Sequence, residues 1–87
     1  TIQWGTDTVT TGVADDNKIS EGEVVFTFPT AFTSAPWAIF TGALDTTNVR
    51  LESASIYSNT PTNVVLYLDA LGIANVKLSS FVLAIGK

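Results

Sequence analysis

The abundance of β-branched residues constrains the fold of this chain more than any other feature. Thr, Val and Ile supply 13, 9 and 6 of its 87 residues, and such side chains lose rotamer freedom in a helix but fit a pleated sheet. The apolar residues fall in short runs bounded by Gly, Pro, Asn and Asp, which favour turns. The sequence therefore predicts an all-β protein.

The apolar runs predict six strands. These are Ile2–Thr11, Glu23–Phe28, Trp37–Gly42, Val49–Ser58, Val64–Leu68 and Val76–Ile85. The segments between them, such as GVADDNKISEG and DALGIAN, are rich in turn-forming residues. None has the composition of a flexible interdomain linker, so residues 1–87 are expected to form one domain.

Two of the predicted strands are apolar on both faces. VVLYL (64–68) and FVLAI (81–85) carry apolar side chains at successive positions, and successive side chains of a strand point to opposite sides of the sheet. A chain of 87 residues is too short to cover both sides. A second copy of the chain is the expected cover.

The fourth predicted strand is half polar on both faces. Strict alternation places Leu51, Ser53, Ser55 and Tyr57 on one side of the sheet and Arg50, Glu52, Ala54, Ile56 and Ser58 on the other.

The overall composition also favours an oligomer. Hydrophobic residues make up 46% of the chain and charged residues only 14%, with a mean hydropathy of +0.35. A domain of this size buries only about 60–65% of its unfolded surface, so contacts between copies would add to a thin core.

Several classes of protein are disfavoured. The net charge is −4, and the four cations Lys18, Arg50, Lys77 and Lys87 form no basic stripe for nucleic acid. The absence of Cys excludes disulfides and thiolate metal sites. No apolar run approaches the roughly 18 residues of a membrane helix, and no signal-peptide pattern is present. Because the chain begins at Thr1 and contains no Met, we expect it to be a piece of a longer protein.

The residues needed for nucleophilic catalysis are missing. The chain has no His, no G-x-S-x-G elbow and no Ser-x-x-Lys pair. A glycosidase with paired carboxylates would need a cleft, which 87 residues provide only with difficulty. We expect neither an enzyme nor a bound cofactor.

Three local patterns resemble the C-terminal domains of bacteriophage and prophage tail fibres. They are IQWG at 2–5, VVFTFPTAFTSAP at 24–36 and VLAIG at 82–86. The last two, with their spacing, also resemble the H-type lectin domain of invertebrate agglutinins. Fibre tips usually carry an aromatic residue in the final strand where this chain has Val82, with Phe81 adjacent.

The resemblance implies a six-stranded antiparallel β-sandwich that assembles into a parallel homotrimer and binds sugars at its distal end. In H-type lectins that prefer N-acetylgalactosamine, an Arg on the fourth strand and an Asp in an early loop contact the sugar. Arg50 matches the first, and Asp15 or Asp16 matches the second. The loop that carries an aromatic or His pair in those lectins begins here with Asp69 and has neither, which argues against that specificity.

Sugar recognition combines planar polar groups with an aromatic face. The candidate polar contacts are Arg50, Asp15, Asp16 and Asp69. Trp37 follows Pro36 at the start of a strand and either stacks on a sugar or fills the core, which its apolar neighbours favour. Tyr57 either contacts ligand or packs its ring on the core with its hydroxyl in water. Trp4 suits packing against a preceding stalk or another copy.

One acidic segment contains potential oxygen ligands for Ca²⁺. It holds Asp15, Asp16, Asn17, Glu21 and Glu23, but it lacks the alternating spacing and central Gly of an EF-hand loop. We expect a solvated loop without a metal, whose charges also discourage pairing between sheet edges.

These observations predict a non-catalytic domain that binds a host-cell glycan as the trimeric tip of a tail fibre, located on a virion or outside the cell. Three alternatives remain open: a structural cap that registers the trimer without a ligand, a tip that binds protein, and a free-standing agglutinin.

Overall fold

The computed structural model describes residues 1–15, 18–44 and 52–87 and confirms the all-β prediction. Its six strands are β1 (Ile2–Thr10), β2 (Ile19–Thr27), β3 (Ala38–Leu44), β4 (Glu52–Asn59), β5 (Asn63–Leu71) and β6 (Lys77–Ile85). They form two three-stranded antiparallel sheets, ordered β1–β6–β3 and β2–β5–β4. The two sheets pack face to face as a sandwich.

Two strands extend into segments that we predicted to be loops. β2 begins at Ile19 instead of Glu23, and β5 continues to Leu71 instead of ending at Leu68. The extensions pair with each other, with Ile19 opposite Leu71 and Glu21 opposite Asp69. Cross-strand pairing thus overrides the low strand propensity of Ser, Glu, Gly and Asp in these segments.

The remaining strand boundaries lie close to the prediction. β3 ends at Leu44, two residues beyond the predicted limit, and β4 ends at Asn59. The predicted start of the fourth strand, residues 49–51, lies outside the described residues.

A β-bulge in β4 corrects the predicted alternation of that strand. The register shifts between Ile56 and Ser58, so that Ile56 lies opposite Leu66 and Ser58 opposite Val65. Tyr57 is the extra residue, and Ser58 shares a face with Ser55 instead of with Ile56.

The core lies between the sheets and is built from alternate residues of the strands. Its buried apolar side chains are Val24, Phe26, Phe28, Phe32, Val64, Leu66, Leu68, Ala70, Leu78, Val82 and Ala84. Two glycines let the sheets approach closely, because a Cβ on Gly5 would lie 2.6 Å from the Phe26 ring and one on Gly22 2.7 Å from Val9 Cγ1. Gly5 therefore lies where the two sheets pack against each other.

The segment between β2 and β3 closes one end of the sandwich. Phe28 and Phe32 lie edge to face with centroids 4.9 Å apart, and Phe32 N donates to Pro61 O. Gln3 is buried and forms two hydrogen bonds with the backbone of Thr30, at 2.6 and 2.9 Å. We call this the terminal end, because Thr1 and Gly86 also pair there through reciprocal hydrogen bonds of 2.9 and 3.0 Å.

The opposite end carries the start of β2 and the connection from β5 to β6, and we call it the loop end. Gly72 and Asn75 adopt positive φ there, at 82° and 53°, a conformation that Gly and Asn tolerate best. Within the described ranges, no helix is long and apolar enough to cross a membrane.

Candidate functional site

The outward side of the β2–β5–β4 sheet carries carboxylates, hydroxyls and phenols in adjacent rows. Successive side chains of a strand point to opposite sides of the sheet, so the residues that alternate with the core positions face solvent. The register places Glu21 beside Asp69 and Ser53, and Glu23 beside Tyr67 and Ser55. We call this surface, formed by Glu21, Glu23, Ser53, Ser55, Tyr57, Tyr67 and Asp69, the polar face.

On the polar face, the pKa of Glu21 depends on the neighbouring carboxyl of Asp69. Glu21 lies opposite Asp69, and a hydrogen bond to Asp69, which requires a proton on one of the two carboxyls, raises the pKa of Glu21 above its ordinary value. Partial desolvation and the nearby charges of Asp69, Asp15 and Glu23 raise the pKa of Glu21 further. The polar face is therefore an area of concentrated negative charge and hydrogen-bond acceptors.

The two tyrosines of the chain lie against each other on the same face. The rings of Tyr57 and Tyr67 meet edge to face, with centroids 5.2 Å apart and planes at 78°. The Tyr67 hydroxyl donates to Glu23 Oε2 at 3.3 Å. Desolvation, followed by the charge and hydrogen bond of Glu23, raises the pKa of Tyr67, so its phenol stays neutral at physiological pH.

Tyr57 lies on the polar face, on the same side of β4 as Ser53 and Ser55, and it is the extra residue of the bulge. It is 69% exposed, and its ring packs on Tyr67 instead of on the core. The core interpretation of Tyr57 was therefore wrong, and the ring offers an accessible aromatic surface beside several hydroxyls and carboxylates.

A pocket of about 290 Å³ adjoins the polar face toward the loop end. Its lining residues are Ile19, Glu52, Ser53, Asp69, Ala70 and Leu71. Its volume lies at the lower limit of small-molecule sites, roughly 300 Å³. The carboxylate residues Glu52 and Asp69 contribute to a lining that is otherwise mostly apolar, and a pocket of this size suits a single small polar ring.

The structure brings Asp69 and Tyr57 to the polar face and places Asp15 at its border. Asp15 Oδ1 accepts a hydrogen bond from Ile19 N at 3.0 Å, and its carbonyl accepts one from Lys18 N. Its carboxylate therefore holds the start of β2. Arg50 and Asp16, two of the predicted sugar contacts, lie outside the described residues.

Trp37 lies at the terminal end, away from the other candidates. It is 66% exposed, so the prediction that it fills the core was wrong. Phe32 and Pro36 pack against Gly86 and close the sandwich there, which leaves Trp37 outside with Lys87 Nζ 5.7 Å from its ring centroid. Because the molecule is 40 Å long, Trp37 and Asp69 cannot contact one sugar ring.

The sequence placed Glu21 and Glu23 in a loop as possible Ca²⁺ ligands and not in a sugar site, and it favoured Tyr57 over Tyr67 as a ligand contact. The signal for the first two was present in ISEGEVV (19–25), where acidic residues alternate with Ser, Gly and Val as in a half-buried strand. No group of three or more His, Cys, Asp or Glu side chains within residues 1–15, 18–44 and 52–87 is arranged to hold a metal ion.

Comparison with known proteins identifies the fold. No family model and no curated protein matches the chain. Two solved structures match over 99% of this chain with TM-scores of 0.74 and 21% identity: the N-truncated R1-type pyocin tail fibre and a P. aeruginosa R1 pyocin fibre comprising C-terminal residues 323–701. The chain spans 70% of the first and 23% of the second. The six-stranded sandwich is thus a fold that pyocin tail fibres contain.

Proposed function

We propose that this chain is a receptor-binding domain of a phage-type tail fibre, which works as a homotrimer and adheres to a host-cell glycan without catalysis. The observation that carries this proposal is the agreement of nearly the whole chain with the fold of a pyocin tail fibre. The proposed location is the tail of a virion or a related extracellular particle.

The chemistry of the polar face supports a sugar as the ligand. Carboxylates accept hydrogen bonds from sugar hydroxyls, and an aromatic ring covers the apolar C–H side of a sugar. Asp69 and Ser53 line the pocket, and Tyr57 lies further along the same face. The pocket holds only one small ring, so each site would be weak, and three sites on one axis would supply avidity.

The contact between Glu21 and Asp69 supports adhesion over glycoside hydrolysis. Glycosidases hold two carboxyl groups roughly 5–9.5 Å apart, with the sugar between them. Here Glu21 and Asp69 are direct cross-strand neighbours, and the contact that raises the pKa of Glu21 favours a proton shared between the two carboxyls over a sugar held between them.

Binding of the trimer to arrayed bacterial and animal glycans tests this function. The variants Tyr57→Ala and Asp69→Asn are expected to lose about tenfold in affinity each, the equivalent of roughly 1.4 kcal/mol. Asp7→Asn removes the same charge from the other sheet and serves as the matched control for Asp69→Asn.

Trp37→Ala tests the other end of the molecule. Loss of binding in Trp37→Ala, with Tyr57→Ala unaffected, would move the sugar to the terminal end. If an intact trimer binds no glycan, the adhesion proposal fails and the structural-cap alternative takes its place.

A further inference from the structure

The polar face concentrates negative charge around Glu21. Glu21 lies opposite Asp69, with Ser53 next in the same row, and Glu23 follows two residues along β2. Every effect that shifts the pKa of Glu21 raises it, and the charges among them, on Asp69, Asp15 and Glu23, are all negative. A ligand that brings positive charge would therefore relieve repulsion at this place, whereas an anionic ligand would add to it.

One oxygen of Asp69 is buried without a hydrogen-bond donor. With both carboxyls of the cross-strand pair ionised, Asp69 Oδ1 is shielded from solvent and accepts no hydrogen bond from the described residues. A buried carboxylate oxygen is costly to leave without a donor or a positive charge nearby. Asp69 also lines the pocket, so a ligand in the pocket can lie next to this carboxylate and offset its charge.

The shape of this region fits one sugar ring that carries its charge at one end. Asp69 and Tyr67 are two residues apart in β5 and point to the same side of the sheet, which separates them by about 7 Å. The pocket of about 290 Å³ lies at the Asp69 end, and the exposed ring of Tyr57 lies against Tyr67. A ring that lies along β5 thus meets a carboxylate at one end and an aromatic surface at the other.

We propose that the polar face binds a sugar with an unmodified amino group, whose protonated amine lies beside Asp69 and Glu21 and whose ring lies against Tyr57. That the ligand is a sugar rests on the proposed function, whereas the preference for a positive charge rests on the contacts described above. Hydroxyls of the same ring can donate to the carboxylate of Glu23 and exchange hydrogen bonds with Ser53.

The same charges determine which sugars are disfavoured. A carboxylate or phosphate on the sugar would lie beside Asp69 and Glu21, and like charges brought together in an interface oppose binding. An N-acetyl group removes the positive charge of the amine, and a neutral sugar supplies only hydroxyl donors. We therefore expect the amino sugar to bind most tightly, the neutral and N-acetylated sugars less tightly and acidic sugars least.

A lysine side chain of a partner protein carries the same ammonium group. Its long stem loses rotamer freedom when it is held, and it presents neither a ring to Tyr57 nor hydroxyls to Glu23 and Ser53. The volume of the pocket, at the lower limit of small-molecule sites, also favours a small rigid ligand. The site therefore favours an amino sugar over lysine.

Titration of the folded chain with small ligands tests this preference without any variant. The ligands are the methyl glycosides of an amino sugar, its N-acetyl form, the neutral hexose and the uronic acid, each in gluco and galacto configuration. Chemical shifts of the Glu21 and Asp69 amides report binding. Just below neutral pH, where the amine is protonated, the amino sugar is expected to bind about tenfold more tightly than the other three, equivalent to roughly 1.4 kcal/mol. Added salt should weaken its binding.

Two variants separate the charge of the site from its aromatic surface. Asp69→Asn keeps the shape of the side chain but removes its charge, so it should abolish the preference for the amine over the N-acetyl form. Tyr57→Ala should weaken both forms by a similar factor and leave the preference intact. Asp7→Asn removes a charge from the other sheet, and as the matched control for Asp69→Asn it should bind every ligand as the wild type does.

Absent binding of the amino sugar, or equal binding of the amine, N-acetyl and neutral forms, would overturn the inference. Tightest binding of the uronic acid would overturn it too. Nα-acetyl-lysine amide is titrated in parallel, and if it binds as tightly as the amino sugar and shifts the same amides, the ligand is a protein and not a sugar.

The proposed function is judged separately, by binding of the trimer to arrayed glycans. A trimer that binds only neutral or acidic glycans would support adhesion and overturn the amine preference. Binding of the small amino sugar by a trimer that holds no arrayed glycan would support the amine preference and overturn adhesion.

Discussion

At the scale of single residues, the most informative contact is the one between Glu21 and Asp69. Cross-strand pairing joins two carboxyls that are 48 positions apart in the sequence, and like charges directly opposite each other destabilise a sheet. Protonation removes this repulsion and allows one carboxyl to donate to the other. The folded chain therefore holds a proton at Glu21 more tightly than the unfolded chain does.

Glu21→Gln is expected to raise the melting temperature at pH 7. Because folding raises the pKa of Glu21, the protonated carboxyl stabilises the fold fully at pH values below the ordinary pKa of 4.5. This stabilisation is lost as the pH rises through the pKa of Glu21 in the folded chain. The gain of the variant over the wild type should therefore shrink as the pH is lowered toward 4.5.

Thermal unfolding between pH 3 and 8 measures this change. Asp7→Asn, which removes a charge from the other sheet, should show no such convergence with the wild type. A gap between Glu21→Gln and the wild type that stays constant with pH would contradict the shared-proton account.

Residue chemistry alone identified part of the candidate site. The sequence predicted Asp69 and Tyr57 as ligand contacts, and both reach the polar face. Trp37 was misplaced because its apolar sequence neighbours do not reveal that Phe32 and Pro36 already fill the end of the core. The partnership of Glu21 with Asp69 depends on strand register, which has no local signal in either segment.

At the scale of elements, a buried hydroxyl network joins β1, β2 and the connection between β5 and β6. Ser20 Oγ donates to Ile73 O at 2.6 Å and lies 2.9 Å from Thr11 Oγ1. Thr11 Oγ1 in turn accepts a hydrogen bond from Val76 N at 3.1 Å. This network holds the loop that follows Leu71, one of the residues that line the pocket.

Thr11→Val is expected to reduce the free energy of unfolding by about 1–3 kcal/mol, because it keeps the shape of the side chain but leaves the Val76 amide without its acceptor and removes one partner of Ser20 Oγ. Chemical denaturation measures the loss, and hydrogen exchange at the Val76 amide should accelerate. Thr10→Val, on the neighbouring exposed position, is the control and should change stability by less than about 0.5 kcal/mol. Equal effects of the two substitutions would show that the network contributes nothing.

The sequence predicted the number of strands, but it predicted their lengths and register less well. Alternation and turn residues located all six strands, since each apolar run ends at Gly, Pro, Asn or Asp. The first four residues of β2 were missed because Ser20 and Gly22, small enough to lie between the sheets, do not look like core residues. The bulge at Tyr57 was missed because one extra residue leaves no mark in a Ser-rich strand.

At the scale of the whole molecule, the two outer faces differ in charge and polarity. One carries acids and phenols, and the other carries uncharged apolar rings. The sequence already indicated two-sided apolar strands, and β6 is one of them. The sequence did not show which strands share a sheet, because that choice depends on pairing between distant segments.

Trp4→Glu is expected to weaken attachment to cells about a hundredfold or more while leaving the affinity of one site for a free sugar unchanged. Trp4 is 72% exposed on the outer side of the β1–β6–β3 sheet, so a charge there is expected to separate the copies of the proposed trimer. Linked sites gain avidity that single sites lack, commonly by a factor of roughly 10²–10⁴. Cell adhesion and calorimetry with a monovalent sugar measure the two quantities. Equal losses in both would show that position 4 acts on the binding site itself.

The pairing of Thr1 with Gly86 has a mechanical consequence. Tension applied between Thr1 and a ligand held near the loop end acts along the long axis of the sandwich. β1 is then pulled parallel to its neighbour β6, and the hydrogen bonds of that ladder share the load instead of opening one after another. Tension applied between residues 1 and 87 would instead peel the two strands apart from the terminal end, so resistance to force depends on where the molecule is held.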